Sequence, residues 1–492
     1  MRLFLLALIL PGVCFYTMAE DFQAVVLDDK TGEPLPFSTI SIEGTYSGTV
    51  ANAEGFFHLD PGAIGKNKTI IITHLGYEPK KITVEQLRAM SEIRLKPSSI
   101  QLSEIAVYAD KLTAREILER TRDRFPENHP KLPMKRELFL HRFEKARFPR
   151  ENQLNIKSSD FVGLDKKTVK DFLQKLPEDF IEYQDAILNY YTSGSEKKVI
   201  PIEGISMEEG AAADMMKEFE THLLDLFEDI DITNQQEDLY YKFRTGIFSF
   251  KADDPAEISM AEILNDSLHY LVPSRDINAI LSFLLKDYSD IEGKNWEFIT
   301  SPGKYIYSLE GLTLNHDRWV YHITFTPKSR GLFQGEIFVD SEDFGVHQVS
   351  YEFTDGKYSE RFQVLGMGHS MDYKKGHVIF QKTESGYYTK YIRAEQKERA
   401  SIDRDFIIMK KEKRFMWDKT LNEIKMHAEM SFDMHNQWEL LIMDNKPIDE
   451  EQISAIEQPK FVRFKKKLVY DPKMWESRTV LVPTAELKQF SR

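Results

Sequence analysis

Cysteine is all but absent. The chain of 492 residues holds one, Cys14, and it falls inside a leader-like start. Met1-Arg2 and the apolar stretch Leu3 to Leu10 run on to Thr17-Met18-Ala19, a small-x-small cleavage pattern ahead of Glu20. The pattern predicts a secretory signal peptide over residues 1–19. The mature chain would then have no cysteine, which excludes disulfides and thiolate chemistry. Long apolar runs are missing too: nothing after residue 20 approaches the ~18 consecutive apolar residues of a membrane-spanning helix. Basic charge is in deficit, with 65 Lys and Arg against 79 Asp and Glu and a net charge of −14. That balance disfavours nucleic acid and anionic membrane surfaces as partners of the chain as a whole. The motifs of common hydrolases are lacking as well. There is no G-x-S-x-G elbow and no H-E-x-x-H pair, and Gly62-Ala63-Ile64-Gly65-Lys66-Asn67 is too short for a phosphate-binding loop.

What is present is concentrated between Val26 and Tyr77. Asp28 to Pro36 is a turn cluster in which Gly32 is free to take positive φ and Pro34 and Pro36 stiffen the exit. Phe37 to Ile42 is β-branched or aromatic, as strands prefer. Gly44, Gly48 and the Asn52-Ala53-Glu54-Gly55 turn punctuate short strands ending at Phe56 to Leu59, and Ile70 to His74 is a further strand stopped at Leu75-Gly76-Tyr77. Short strands with Gly and Pro turns predict a small antiparallel β-sandwich, closed by Ile93 to Pro97.

The order of Thr31-Gly32-Glu33-Pro34-Leu35-Pro36, Gly44-Thr45, Gly48-Thr49, Asn52, Gly55-Phe56-Phe57 and Gly76-Tyr77 resembles the carboxypeptidase-regulatory-like domain, a transthyretin-like sandwich, over about residues 21–98. The resemblance implies a non-catalytic appendage, frequent on envelope proteins of Gram-negative bacteria. Two later stretches, Trp319 to Pro327 and Phe333 to Val349, together with Ala114 to Asn128, resemble a group of such envelope proteins that carry this domain at the N-terminus. The strand-then-turn order also has a similarity in topology to periplasmic lipoprotein carriers, which fold as a half-barrel around a helical lid.

The rest of the chain, residues 99–492, predicts an α+β domain, possible to divide further, with helices over about 112–290 and an antiparallel meander over about 305–445. Thr113-Ala114-Arg115-Glu116 is a capping box opening a helix that ends before Phe125-Pro126; Thr168 to Asp171 starts a second. Ser206-Met207-Glu208-Glu209 is another capping box, with Met216, Phe219, Leu223, Leu226 and Phe227 at helical spacing behind it, and a further helix runs from about Asp276 to Lys286. From Tyr305 the period changes to 2. Trp319, Tyr321, Ile323 and Phe325 share one face, and strands follow at Phe362–Leu365, Val378–Lys382, Tyr387–Ala394, Asp405–Lys410, Glu423–Phe432 and Glu439–Ile442. A sheet of this size must curl, close or be covered, and the helices are expected against its concave face. The fold class is thus mixed: an antiparallel sandwich, then a large curved antiparallel sheet with covering helices.

Chemistry is sparse. His141-Arg142-Phe143-Glu144 has the H-x-x-E spacing of zinc carboxypeptidases, with His269 at an interval that suits a third ligand. Against it, His141 sits in a strand-like alternation, and in the enzymes the regulatory domain follows the catalytic one. Ser301-Pro302-Gly303-Lys304, Ser195 to Lys198 and Lys30-Thr31-Gly32 match fragments of a penicillin-binding serine site, but in turns and in the wrong domain. Asp229 with Asp231, and Asp253-Asp254, lack the spacing of a calcium loop, and His316, His322, His369 and His377 read as hydrogen-bonded strand residues. No catalytic, cofactor-binding or metal residue is assigned and no cofactor is expected. The leading expectation is a secreted, non-enzymatic envelope protein, periplasmic or outer-membrane-associated, that binds an envelope protein, glycan or lipid component and no nucleic acid. The alternatives are a zinc peptidase using His141, Glu144 and His269, and lipid or lipoprotein handling by a half-barrel.

The leader reading makes a direct prediction. Edman or mass-spectrometric sequencing of protein from the cell envelope should begin at Glu20, next to the Ala19 cleavage point. An N-terminus at Met1, or recovery in the cytosol, would contradict secretion.

Overall fold

The computed structural model describes residues 22–60, 64, 68–98, 112–161, 163–208, 239–245, 248–252, 269–415, 417–471, 474–475 and 478–490. The leader, the apolar stripe Met216 to Phe227 and the acidic pairs at 229–231 and 253–254 lie outside them.

The first unit is the expected sandwich. Its strands are β1 (Phe22–Asp28), β2 (Thr39–Ile42), β3 (Gly48–Val50), β4 (Phe56–Leu59), β5 (Thr69–Thr73), β6 (Lys80–Thr83) and β7 (Glu92–Leu95). They form a three-stranded sheet β4-β1-β7 and a four-stranded sheet β3-β2-β5-β6. Alternate residues point inward, so Ala24, Val26, Ile40, Phe57, Ile70, Ile72 and Ile93 share one core. One pair departs from the antiparallel expectation: β7 returns beside β1 in parallel, Val26 opposite Ile93. The rest of the sandwich serves as the crossover that a parallel pair requires. The turn at Asn52 forms as its residues dictate, with Asn52 Oδ1 accepting from the backbone N–H of Glu54 and Phe56, both at 2.9 Å. Phe37 is not in a strand. It is held left-handed at φ 59°.

The second unit is built on one sheet of sixteen strands. In chain order these are β8 (Met134–Arg147), β9 (Gln153–Ser159), β10 (Asp179–Ser193), β11 (Glu196–Glu208), β12 (Leu239–Thr245), β13 (Phe248–Ala252), β14 (His269–Pro273) and β15 (Tyr305–Asn315). The remainder are β16 (Arg318–Pro327), β17 (Phe333–Asp340), β18 (Val346–Phe353), β19 (Ser359–Val364), β20 (Met367–Thr383), β21 (Gly386–Glu412), β22 (Lys419–Pro447) and β23 (Phe461–Lys467). The main path runs β14-β23-β11-β10-β8-β22-β21-β20-β18-β17-β16-β15. Pairs along it are antiparallel except β11 with β23.

Helices cover one face. Ala114–Asn128 buries Ile117, Leu118, Thr121 and Phe125, and Ser274–Phe283 continues as a π-helical turn, Leu284–Tyr288. Side chains from β8, β10, β11, β14, β16, β17, β18, β20, β21, β22 and β23 join these helices in a single core. Twelve flat strands would span roughly 50 Å at ~4.8 Å each. A helix of about fifteen residues is only ~22 Å long. One helical layer therefore meets strands from both ends of the path because the sheet curls around it. The space between is filled: Trp296, Tyr288, Phe298, Phe325 and Phe333 are each under 2 % exposed, and Phe298 stacks on Phe325 with ring centroids 4.4 Å apart. Trp319, expected on the same face as Tyr321, is instead 38 % exposed.

The other face is covered as well. Phe139, Ile187, Ile379, Tyr391 and Leu441 alternate with the helix-facing residues and pack against Val50 of the sandwich and Trp475, Val480, Leu481 and Leu487 near the C-terminus. Asn52 Nδ2 donates to the Val482 carbonyl at 3.2 Å, and the Gly76 N–H donates to Leu314 at 3.1 Å. The two units are joined through this contact.

Several boundaries differ from expectation. The first helix runs through Pro126 to Asn128, because a proline in the last turn removes one hydrogen bond without ending the backbone path. The second begins at Lys166, capped by Asp165 accepting from Thr168 N–H at 2.8 Å. Ser206 does not cap a helix: it lies in β11, paired with Gln184, its hydroxyl donating to Glu182 at 3.2 Å. Strands β21 and β22 each run unbroken through the gaps left in the sequence reading. Their distal halves leave the main core as an arm. β9 and β12 flank them there, the helix Lys166–Lys175 lies on it, and Phe161, Leu164, Val169, Tyr241 and Ile424 make a separate small core.

Phe298 sits at the centre of the main aromatic cluster. Phe298→Ala should cost about 3–5 kcal/mol of the cooperative unfolding free energy, measured by urea titration followed through tryptophan fluorescence.

Candidate functional site

The zinc reading fails on geometry. His141 and Glu144 are three apart on strand β8, so their side chains leave on opposite faces. His141 Nδ1 lies 2.6 Å from Asp185 Oδ1, and Trp475 Nε1 donates to Asp185 Oδ2 at 3.3 Å. Burial pushes the imidazole pKa down, but the Asp185 contact outweighs it and holds it above the usual value. Glu144 is bonded by Arg142. His269 is on β14, with β23, β11 and β10 between it and β8, roughly 20 Å away at strand spacing. Zinc needs its ligands within ~2 Å of one point. Among the described residues no three His, Cys, Asp or Glu gather so as to hold a metal.

The serine-site fragments are structural too. Lys304 is paired with Glu297 at 2.6 Å, and Lys198 donates to the carbonyls of Ile453, Ser454 and Ile456, closing the short helix Glu450–Ser454. His322, His369 and His377 are hydrogen-bonded strand residues, their partners Glu336, Glu398 and Ser350.

His316 is different. It opens the two-residue turn between β15 and β16 and is held left-handed at φ 58°, a conformation that costs a non-glycine residue about 1 kcal/mol or more. The turn points at the sandwich, where His316 Nε2 lies 3.4 Å from Thr73 Oγ1. Between the two units is a cavity of about 260 Å3, lined from the sandwich by Phe37, Thr39, Thr73 and His74 and from the sheet by His316, Arg318, His347, Phe380, Lys382 and Lys390. Phe37 and His316, one from each unit, are both strained, and both line it.

Under the floor lies a buried carboxylate. Asp340, at the end of β17, is 0 % exposed and receives six donors. Arg318 binds it through Nε and through Nη2 at 2.7 Å, His347 Nε2 at 3.1 Å and the Tyr387 hydroxyl at 3.0 Å; the N–H groups of Glu342 and Asp343 donate at 2.9 and 3.3 Å. Burial alone would push its pKa up, but the His347 and Arg318 hydrogen bonds prevail and hold it well below the usual carboxylate range. Asp343 binds Lys382 and lies 2.9 Å from the same Tyr387 hydroxyl, whose single proton the two carboxylates share. The Asn315 amide donates to His347 Nδ1 at 2.8 Å, which fixes the His347 proton on Nε2. Arg318 and Lys382 are therefore already neutralised from below.

Two of the cleft's histidines, His74 and His316, are shifted towards the neutral form. Burial lowers the His74 pKa to about 4 and lowers that of His316. Ser38 donates to the Leu35 carbonyl at 2.9 Å, so its oxygen accepts from His74 Nδ1 at 3.1 Å and Nε2 keeps a lone pair. Lys390, fully buried, donates to the carbonyls of Tyr46 at 3.0 Å and Ile442 at 2.8 Å, and burial brings its pKa down to about 7. In the sequence His316 reads as an ordinary strand histidine, and nothing there marks His74, Arg318, His347 or Lys390 as site residues. One signal was available: a two-residue His316-Asp317 turn between alternating runs, without the glycine or asparagine such turns prefer.

Residues 23–107 match the family model of the CarboxypepD_reg-like domain. This agrees with the resemblance carried by Thr31 to Tyr77 and places that domain at the N-terminus. No curated protein matches the chain. Similar solved structures include a LolA superfamily protein from Nitrosomonas europaea, 11% identical, covering 70% of this chain and 98% of that one with a TM-score of 0.18. Another is the MucA/MucB complex of Pseudomonas aeruginosa, 6% identical, covering 64% and 94% with a TM-score of 0.18. Such scores fall short of a common fold, and the reading of the cleft rests on its own residues.

The Asp340 network predicts an acid limb. Its folded pKa is lowered, so its contribution is present above the unfolded value of ~3.9 and is lost as pH falls below that. Asp340→Asn should cost about 3 kcal/mol at pH 7. Thermal melts from pH 7 down to 3 should show the gap between variant and parent closing as the pH drops.

Proposed function

We propose that the chain is a non-enzymatic binding module of the cell envelope whose ligand sits in the cleft between sandwich and sheet. The observation that carries this is the pair Phe37 and His316, held left-handed at φ 59° and 58° on opposite walls of one cavity. Strain of this kind persists where the surroundings over-determine it, and it clusters at ligand sites. Junctions between units are where such pockets form. The chemistry favours a compact polar ligand without strong net charge. His74 Nε2 is an acceptor, Thr73 a hydroxyl, and Phe37 and Phe380 offer apolar walls, while Arg318 and Lys382 are spent on Asp340 and Asp343. A sugar or a small amide-bearing group fits that description better than a phosphate. The envelope setting is supported by the leader-like residues 1–19 and by the N-terminal domain match.

A binding role fits better than catalysis because the ionisable groups here are tied to one another rather than arranged as nucleophile and base. Lipid handling inside the curled sheet is disfavoured by its filling of Trp296, Phe298, Phe325 and Phe333.

The test is a thermal-shift screen of envelope saccharides, peptidoglycan fragments and short peptides, followed by calorimetry on hits. His316→Gly keeps the turn, since glycine accepts positive φ, but removes the imidazole. A ligand bound by the parent should lose at least tenfold in affinity in His316→Gly and in His74→Ala, with melting temperatures little changed. Hits indifferent to both substitutions would remove the cleft as the site.

A further inference from the structure

The arm ends in a hairpin turn unlike the rest of the surface. Between β21 and β22, Phe415 is 104 % exposed and Trp417 79 % exposed, so nothing described in the fold covers either ring. Around them stand Lys411, Lys413, Arg414 and Lys419 against Glu412 and Asp418, four basic residues to two acidic in a chain whose net charge is −14. The helix Lys166–Lys175 on the same arm adds exposed Lys166, Lys167 and Lys170. Its Val169 packs with Ile424, a few residues from the turn, so both basic groups occupy the same end. The arm is braced by its own core and by β9 and β12. From Ala394, in the main core, to Glu412 is eighteen residues of strand, ~60 Å at 3.3 Å per residue.

We propose that this tip is a membrane-docking element, inserting Phe415 and Trp417 into the interface of an anionic bilayer with the surrounding lysines and arginine at the headgroups. Aromatic rings favour that depth, where an apolar body and a polar edge are both accommodated. Long basic side chains extend to the phosphates, each adding attraction to an anionic leaflet. The acidic remainder of the chain does not prevent this. At physiological salt the Debye length is about 8 Å, so charges several times farther away are screened. Projection on a braced arm brings the tip to the surface while holding the cleft tens of ångströms above it.

The test uses the mature chain with vesicles of phosphatidylcholine alone or mixed with phosphatidylglycerol. Binding by co-sedimentation should require the anionic lipid and weaken with salt. Phe415→Ser with Trp417→Ser, and separately Lys413→Glu with Arg414→Glu, should each reduce partitioning by about tenfold or more. Both rings and both charges are solvent-exposed, so circular dichroism and melting temperature should stay as in the parent. Trp417→Phe supplies a second readout. Vesicles should shift the parent's tryptophan emission to the blue, and Trp417→Phe should bind yet lose most of the shift, because Trp296, Trp438 and Trp475 are buried and the half-buried Trp319 lies on β16, outside the arm. Failure of the parent to bind anionic vesicles, binding unchanged in the Phe415/Trp417 variant, or binding without an emission shift would each overturn the proposal. So would gel filtration showing that the tip variant only breaks up an oligomer, which would make the tip a contact between copies of the chain.

Discussion

The central strands are buried on both faces, and the rest of the molecule follows from that. On β8 the alternation Leu138, Phe139, Leu140 sends Leu138 and Leu140 to the helices and Phe139 to the sandwich side. On β21 Tyr391 and Ile392 divide in the same way. A sheet of this kind needs a layer on each side. The helices Ala114–Asn128 and Ser274–Phe283 supply one, and the sandwich with the C-terminal segment supplies the other. The N-terminal unit is therefore part of the hydrophobic closure of the second. Burial on this scale also traps polar groups. Lys390 is tolerated only because two backbone carbonyls accept from its ammonium and the Tyr46 ring lies 4.7 Å away.

Double burial also explains which parts of the fold were legible in the sequence. Tyr321, Ile323 and Phe325 alternate with polar His322 and Thr324, and that stretch of meander reads directly. β10 escaped the sequence reading because Tyr183 to Leu188 are buried consecutively, which erases a period of 2. β21 and β22 read as broken where their middles carry the polar runs Glu395 to Arg399 and His435 to Gln437, which face each other across the ladder with His435 bonded to Glu395 at 2.8 Å. Capping boxes show the limit of local rules. Thr113 with Glu116 caps a helix, whereas Ser206 of the same pattern is a strand residue because β10 and β23 hold it on both sides. The cleft was the least legible part. Thr73 and His316 meet across 243 residues of chain, and no spacing rule reaches that far.

Charge is distributed with similar economy. Arg318 and Lys382 pair with Asp340 and Asp343, and His347 donates a further hydrogen bond to Asp340, so these two cations are satisfied before any ligand arrives. The basic groups of the arm tip, by contrast, face solvent. Arg414 pairs there with Glu412 at 2.9 Å, a largely exposed pair of small energetic weight. The two regions are suited to different kinds of contact. One offers hydrogen bonds within a pocket whose Arg318 and Lys382 are already paired; the other offers a surplus of basic residues beside exposed rings.

Asp340 also accounts for the strain at His316. The turn His316-Asp317 is followed at once by Arg318, whose guanidinium is fixed by both oxygens of a carboxylate with no exposure. It is preceded by Asn315, whose amide is fixed on His347, itself bonded to the same carboxylate. Both ends of the turn are thus anchored to one buried charge. The two residues between must close the gap whatever their identity, and the left-handed cost falls on His316. A glycine would relieve that cost, yet it would leave Thr73 facing empty space. A strained side chain held where a relaxed backbone would suffice for folding marks a position whose side chain matters for what the cleft receives.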